Sequence, residues 1–480
     1  MIGEYLRLAF ATWLVLLPGR LVARSLGQRG SSPSLAWSFA ALFLAWAVVF
    51  TIHGSIWLAA GILAGIGVVA LVAGKPGTKQ AIQVEASTGA GWNVWAERAR
   101  KPVFGRGSVF AGGVVLGLLL WQVEGAVTGD ALFHEARVRK LDDLGHLHLR
   151  SVDELAHGGL HPGYAFPLWH AFLALVSKLS GLDPSVVVHR EASLLVPIAL
   201  VVAWEAGVAV FGSSGGGFSV VFASLALYCF AAGHGGSYVS LALPATSSRQ
   251  LFVPAAFALF FTFAESGRRA DLVALGAGFG ALALIHPTYA LFALLPLGAY
   301  AVVRAPEWRR SAAALAAAIV PAGLTVVWLK PIVDETISHN PKESTQLTTL
   351  RHYGNELVVT SVHHFRLAAG VPGRTGAVAV AALALVPFAG FAARRRWGAF
   401  VLGGAVLVLA LMLVPEFFVR FSNAVSLSQS RRAAGFVPFA FAFAGGFALL
   451  ARTAFVVPFA VVAGVVLQDE WPGDFAYGLR

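Results

Sequence analysis

The sequence predicts an all-α polytopic membrane protein, a bundle of about fourteen transmembrane helices each near the roughly 20 residues that cross a hydrocarbon core. Three observations carry this. Of 480 residues, 57% are hydrophobic and only 12% charged, with a mean hydropathy of +0.73. A soluble domain is nearer half apolar and a quarter charged. Apolar stretches recur along the whole chain, and the arginine clusters fall in the connections between alternate stretches, as the positive-inside rule requires.

The stretches, in order, are 5–23, 34–52, 55–73, 108–126, 190–211, 216–235, 249–265, 271–286, 287–304, 311–330, 374–393, 397–415, 433–451 and 453–468. The first begins with Glu4 and Arg7 and is broken by Pro18 and Arg20. It has neither a basic leader nor a small-residue cleavage site, and reads as a retained helix. Proline and glycine inside several stretches are tolerable where neighbouring helices satisfy the backbone. Residues 164–181 are apolar enough to be a further span, but charge placement argues against it. If they cross, Arg268/Arg269, Arg304/Arg309/Arg310 and Arg394/Arg395/Arg396 all face outward. If they lie at the interface as an amphipathic helix, these clusters join Arg20, Arg24, Arg29 and the loop 74–107 on the cytoplasmic side. The interfacial reading is taken, with both termini outside and the protein in the plasma (inner) membrane.

Three parts follow. Residues 1–107 form a three-span segment with a cytoplasmic connector. Residues 108–330 form a core with the outer loop 127–189. Residues 331–480 hold the outer loop 331–373 and the remaining spans. The formal charge of +11 is explained by this topology, so no nucleic-acid partner is expected. The single cysteine, Cys229, excludes an intramolecular disulfide and any cysteine-rich metal site. No internal repeat is visible, which weakens a transporter built on paired halves.

The chemistry concentrates in Thr128-Gly-Asp-Ala-Leu-Phe-His-Glu-Ala-Arg137. Acidic groups at the mouth of a membrane helix are costly and point to function. In a helix, Asp130, His134 and Arg137 share one face. Asp130 is either a general base for a substrate hydroxyl or an N-cap. His134 either orients Asp130, touches a phosphate or ligates a metal. Glu135 is a further catalytic candidate, although pairing with Arg139 at i,i+4 is its simpler role. Arg431 and Arg432 at an outer helix mouth suit a phosphate, because guanidinium forks match phosphate oxygens; contact with anionic membrane lipids is the plainer alternative. Lys330 and Arg420 are weaker versions of the same idea. His286 is a turn residue that caps a helix or binds substrate, and His170 lies in the interfacial segment. His146, His148, His157 and His161 crowd one loop with Asp142, Asp143, Asp153 and Glu154. The spacing matches no defined metal site, so Zn²⁺ or Mn²⁺ stays open and no cofactor is required by the sequence.

The segment Gly163-Tyr-Ala-Phe-Pro-Leu-Trp-His-Ala-Phe-Leu-Ala-Leu-Val-Ser-Lys-Leu-Ser-Gly-Leu-Asp-Pro-Ser-Val-Val-Val-His-Arg190 resembles a stretch of the GT-C membrane glycosyltransferases. That stretch runs from a proline-rich turn through an aromatic helix to an arginine opening the next span. The protein O-mannosyltransferases and the lipid A aminoarabinose transferase belong to this superfamily. The likeness is specific over residues 108–215 and only topological beyond. It implies a GT-C-like bundle with amphipathic juxtamembrane helices in the first large outer loop. It also implies an inverting transfer of a sugar from a polyprenyl-phosphate carrier to an acceptor hydroxyl on a polysaccharide, lipid or protein outside the membrane. Asp130 matches the acidic residue that serves as base in that family, and Arg431 and Arg432, with Lys330, would hold the leaving phosphate. The chain departs from the pattern in three ways. Ala131 stands where a second acid is common. The segment 237–249 lacks the acid that several members carry. Three extra spans precede the matching part. The Gly/Ala/Arg-rich composition is that of a high-GC bacterium, which would place the product in the cell envelope. A non-catalytic lipid-linked-glycan transporter or flippase, or an inert GT-C relative acting as a scaffold, is the alternative.

Overall fold

The computed structural model describes residues 2–74, 105–123, 130–152, 159–230, 236–304, 308–338, 343–373, 383–392, 395–436 and 443–444. The expected spans 433–451 and 453–468 lie largely outside them, as do Asp153, Glu154, His157 and the side chain of Asp130.

The first helices are α1 (Ile2–Ser25), α2 (Ser31–Ile52), α3 (Ile56–Ala73), α4 (Arg106–Trp121), α5 (Asp130–Asp143) and α6 (Leu168–Ser180). There follow α7 (Pro184–Phe211), α8 (Ser214–Phe230), α9 (Pro244–Ser247), α10 (Val253–Ser266), α11 (Arg269–Ile285), α12 (Pro287–Val303) and α13 (Trp308–Ser338). Among the described residues, six helices are long and apolar enough to cross a membrane: α1, α2, α3, α7, α13 and Arg396–Leu413. Shorter apolar helices, α4, α8 and α12 among them, accompany these.

Local chemistry fixes the ends. Pro184 and Pro287 open α7 and α12 at positions where the missing N–H costs nothing. The Asp183 carboxylate accepts from Ser185 N at 2.9 Å, capping α7. The start of α2 has no cap of its own, and Glu205 from α7 supplies one. Its carboxylate accepts from Ser31 N at 2.7 Å, Ser32 N at 2.8 Å and Ser32 Oγ at 2.6 Å. Helices α4 and α7 approach closely because Gly113 and Gly117 leave room. A Cβ on either would collide with the backbone of Pro197 or Ser193.

The three N-terminal helices belong to the same core as the rest. Thr12 Oγ1 donates to Glu191 Oε1 at 2.8 Å, joining α1 to α7. Phe39 of α2 stacks on Trp169 of α6 at 5.7 Å and meets Phe252 edge-on at 4.7 Å. Trp169 Nε1 donates to Ala242 O at 2.6 Å.

The two ends of the bundle differ in chemistry. At one end, Arg106 pairs with Glu205 at 3.3 Å, Gln28 donates to Asp271 at 3.0 Å, and Arg268 donates to Leu26 O at 3.0 Å. Arg310 donates to Glu265 O at 3.1 Å and Arg396 to Ala209 O at 2.8 Å. The basic connections therefore gather together, as the charge argument requires. At the other end, Leu147 N donates to Gly54 O at 2.9 Å, tying the segment after α5 to the end of α2.

Two features differ from expectation. α6 has 13 residues, roughly 20 Å, too short to cross. It is also enclosed by protein along most of its length, with Leu168 to Ser177 all buried, whereas an interfacial helix was expected to turn one side to lipid. The segment 331–373 contains α14 (Glu343–His352) and an antiparallel hairpin, β1 (Leu357–Ser361) and β2 (His364–Leu367). Phe365 of β2 packs edge-on against Phe418 at 5.8 Å, so the hairpin sits on the helix Pro415–Val425.

Candidate functional site

α5 opens at Asp130 and buries the face His134, Arg137, Val138 and Leu141, the i, i+3, i+4, i+7 pattern of a helix laid on a core. Asp130 lies one turn before His134. His134 Nδ1 is 2.9 Å from His170 Nε2, so one imidazole donates its proton to the other. The rings are 5.1 Å apart, and Tyr164 stands edge-on to both, at 5.2 Å and 5.4 Å. Arg137, 1% exposed, donates to Tyr164 O at 2.6 Å and stacks over Phe133 at 5.3 Å. His161 lies 5.3 Å from the Tyr164 ring.

His286, the N-cap of α12, approaches from the opposite side, 6.3 Å from the Tyr164 ring. Arg432 completes the group, close enough to both His134 and His286 to perturb their protonation. Burial, reinforced by Arg432, Arg137 and His161, pushes His134 down to about 3. Burial holds His170 well below the usual histidine range, with His134, Arg137 and His161 adding to it. His286 is lowered first by burial and then by Arg432. All three imidazoles are therefore neutral near pH 7, in a field set by two guanidiniums. Three polar atoms of this group are buried without a partner among the described residues: His170 Nδ1, His286 Nδ1 and Arg432 Nε. A neutral imidazole offers one donor and one acceptor. With an arginine beside it, the arrangement suits an oxyanion in a water-poor site.

The structure thus gathers His134, Arg137, His170, His286 and Arg432 from four separate stretches of chain. The other candidates are engaged elsewhere. Glu135 pairs with Arg139 at 3.2 Å, and Arg139 also binds Asp183 at 2.7 Å, tying α5 to the start of α7. Arg431 turns from its neighbour: its Nε donates to Glu356 Oε2 at 2.8 Å and its guanidinium lies 3.9 Å from the Tyr353 ring centre. Its charge is spent on that carboxylate, anchoring the 343–373 segment. Lys330 is 67% exposed and pairs with Asp334 at 2.5 Å, and Arg420 is exposed. Among the described residues no group of three or more His, Cys, Asp or Glu could hold a metal ion. His146 Nδ1 meets His53 O at 3.2 Å, and His148 bonds within its own turn to Ser151.

Sequence reasoning overlooked Tyr164, Tyr289 and Arg249. An arginine opening an apolar span was a signal for Arg249, since such a charge is costly in a bundle.

No protein-family model matches the chain, and neither a curated protein nor a solved structure matches it significantly.

Proposed function

We propose that the protein is an inverting membrane glycosyltransferase. It moves a sugar from a polyprenyl-phosphate carrier to an acceptor hydroxyl at the extracytoplasmic face of a bacterial plasma membrane. The observation that carries this reading is the convergence of Arg432 with His134, His170 and His286, whose unmatched polar atoms suit a phosphate. Arg432 is the residue that would hold the leaving phosphate, where charge grows as the glycosidic bond breaks. His286 through Nδ1, and His170 through Nδ1 with His134 Nδ1 donating to its other nitrogen, would give hydrogen bonds to its oxygens. Asp130, one turn before His134 on the same helix, is the proposed base that takes the acceptor's proton as its oxygen attacks the anomeric carbon. Holding donor and acceptor together at one end of the bundle would supply much of the rate through positioning.

Support for the transporter alternative weakens at Glu205. An acid inside the apolar stretch 190–211 would be the natural marker of a polar path, and Glu205 caps α2 at the basic end instead. The deciding experiment is Asp130→Asn in purified protein, assayed with a radiolabelled polyprenyl-phosphate sugar and a hydroxyl acceptor. Transfer is expected to fall at least about 100-fold, as for loss of a general base, with lipid-phosphate binding retained. Undiminished transfer removes the assignment.

A further inference from the structure

Next to His286 lies a second group of polar side chains to which the reaction above assigns nothing. Tyr289 packs its ring against His286 with 4.9 Å between centroids, and lies within electrostatic range of Tyr228 on α8. The Arg249 guanidinium sits over the Tyr228 ring at 4.8 Å, and Tyr238 stands edge-on to that ring at 5.6 Å. Arg249 donates to Gly435 O at 2.8 Å, three residues beyond Arg432. It also donates to the carbonyl of Gly236, which Gln250 Nε2 reaches at 3.3 Å. The group therefore joins α8, α12, the approach to α10 and the chain after Arg432. It is continuous with the phosphate-facing cluster through His286.

Its hydrogen bonding is unfinished. Tyr228 Oη, Tyr289 Oη, Ser248 Oγ and Gln250 Oε1 are buried and meet no hydrogen-bonding partner among the described residues. A single such atom is unremarkable, but four on residues linked to one arginine through space or sequence call for a ligand, because buried polar atoms are rarely left unmatched. Residues Ser248–Phe252 form a π-helical turn, a local widening that recurs at functional sites. The adjoining wall, a 3₁₀ turn at Tyr238–Ser240 and the short α9, is the least regular part of the bundle.

We propose that this group is a polyol subsite that takes the sugar ring of a lipid-phosphate sugar whose phosphate lies at Arg432. The proposal rests on the transferase reading and extends it to the part of the donor that reading leaves unplaced. The chemistry selects the class. Three hydroxyls that both donate and accept, together with an amide oxygen that only accepts, match the hydroxyls of a pyranose or furanose. The rings of Tyr228, Tyr238 and Tyr289 offer apolar faces to its C–H surface. A purely apolar ligand would leave all four atoms unmatched. A second phosphate would meet an acceptor in Gln250 Oε1.

The test compares wild type with Tyr228→Phe, Tyr289→Phe and the double variant, full-length and purified. Two measurements are made: thermal midpoint, and affinity for a short-chain polyprenyl phosphate, bare or carrying mannose, glucose or arabinose. Neither hydroxyl has a partner among the described residues, so the variants are expected to be no less stable than wild type. Each is expected to weaken binding of the preferred sugar-bearing lipid about tenfold, the scale of one lost hydrogen bond in a buried site, and to leave the bare lipid unaffected. Equal loss for both lipids, or no loss for either, overturns the subsite. So does a lowered midpoint with unchanged affinities, which would assign the atoms to bound water. A wild type that binds no sugar-bearing lipid more tightly than the bare one overturns it too. A wild type that binds not even the bare lipid removes the transferase reading itself, and this one with it.

Discussion

His134 Nδ1 stands 2.9 Å from His170 Nε2, a contact between imidazoles 36 residues apart that fixes α5 against α6. Its meaning is electrostatic as well as structural, because the ring that accepts must be unprotonated at the shared contact. Arg432, Arg137 and His161 face the pair and oppose its protonation.

A pH dependence of stability follows. The folded state holds His134 down to about 3 against an ordinary value of 6.5, so the unfolded chain binds more protons throughout that window. Stability from this group is complete above pH 6.5 and is lost as pH falls, by about 1.4 kcal/mol per unit for one histidine. His170 shifts in the same direction and adds to the slope. Thermal midpoints of the solubilised protein are expected to be flat from pH 8 to 7 and to drop between pH 6.5 and 5. His134→Gln should flatten that drop; an unchanged profile would discard the neutral pair.

The two adjacent arginines separate cleanly. Arg432→Ala is expected to reduce sugar transfer about 100-fold, the scale of losing one donor to a developing anion, with little change in thermal midpoint. Arg431→Ala breaks the partner of Glu356, whose side chain is only 20% exposed, and should cost about 1–3 kcal/mol. A double-mutant cycle with Glu356→Ala measures that coupling. Equal transfer defects in the two single variants would erase the distinction.

Glu205 offers a control remote from the chemistry. Glu205→Ala strands the amides of Ser31 and Ser32 at the start of α2 and should destabilise by about 1–3 kcal/mol. Transfer per folded molecule should stay within about twofold, as expected for sites without shared partners. A selective loss of turnover would show that the basic end takes part in the reaction.

Sidedness can be read by labelling. In a Cys229→Ser background, Lys330→Cys should react with a membrane-impermeant maleimide in intact cells, and Arg309→Cys only after permeabilisation. Trp308 and Lys330 lie at opposite ends of the apolar part of α13, so the reverse pattern would invert the topology.

Much of this architecture could be read from residue order, and the limits are instructive. Helices α1, α2, α3, α7, α11 and α12 begin and end within a few residues of their apolar stretches, except that α7 starts earlier, at Pro184. The face shared by His134 and Arg137 follows from helical spacing alone. The pairing of Arg431 with Glu356 does not, because neighbours in a turn point to different sides and the partner lies 75 residues away. The hairpin was signalled by the β-branched run Val358-Val359-Thr360, but it was submerged in a segment read as a loop. The burial of α6 was illegible, since apolarity cannot distinguish contact with lipid from contact with other helices.

That enclosure has a consequence for biogenesis. A 13-residue segment is a poor substrate for lateral release into lipid, so α6 cannot be installed the way a spanning helix is. Its seat exists only once α1, α2, α7 and α11 have assembled around it, which makes docking of this segment a post-insertional event. Since α6 carries His170, the imidazole pair is completed only by that docking, and a nascent chain stalled before it would be inserted without the pair.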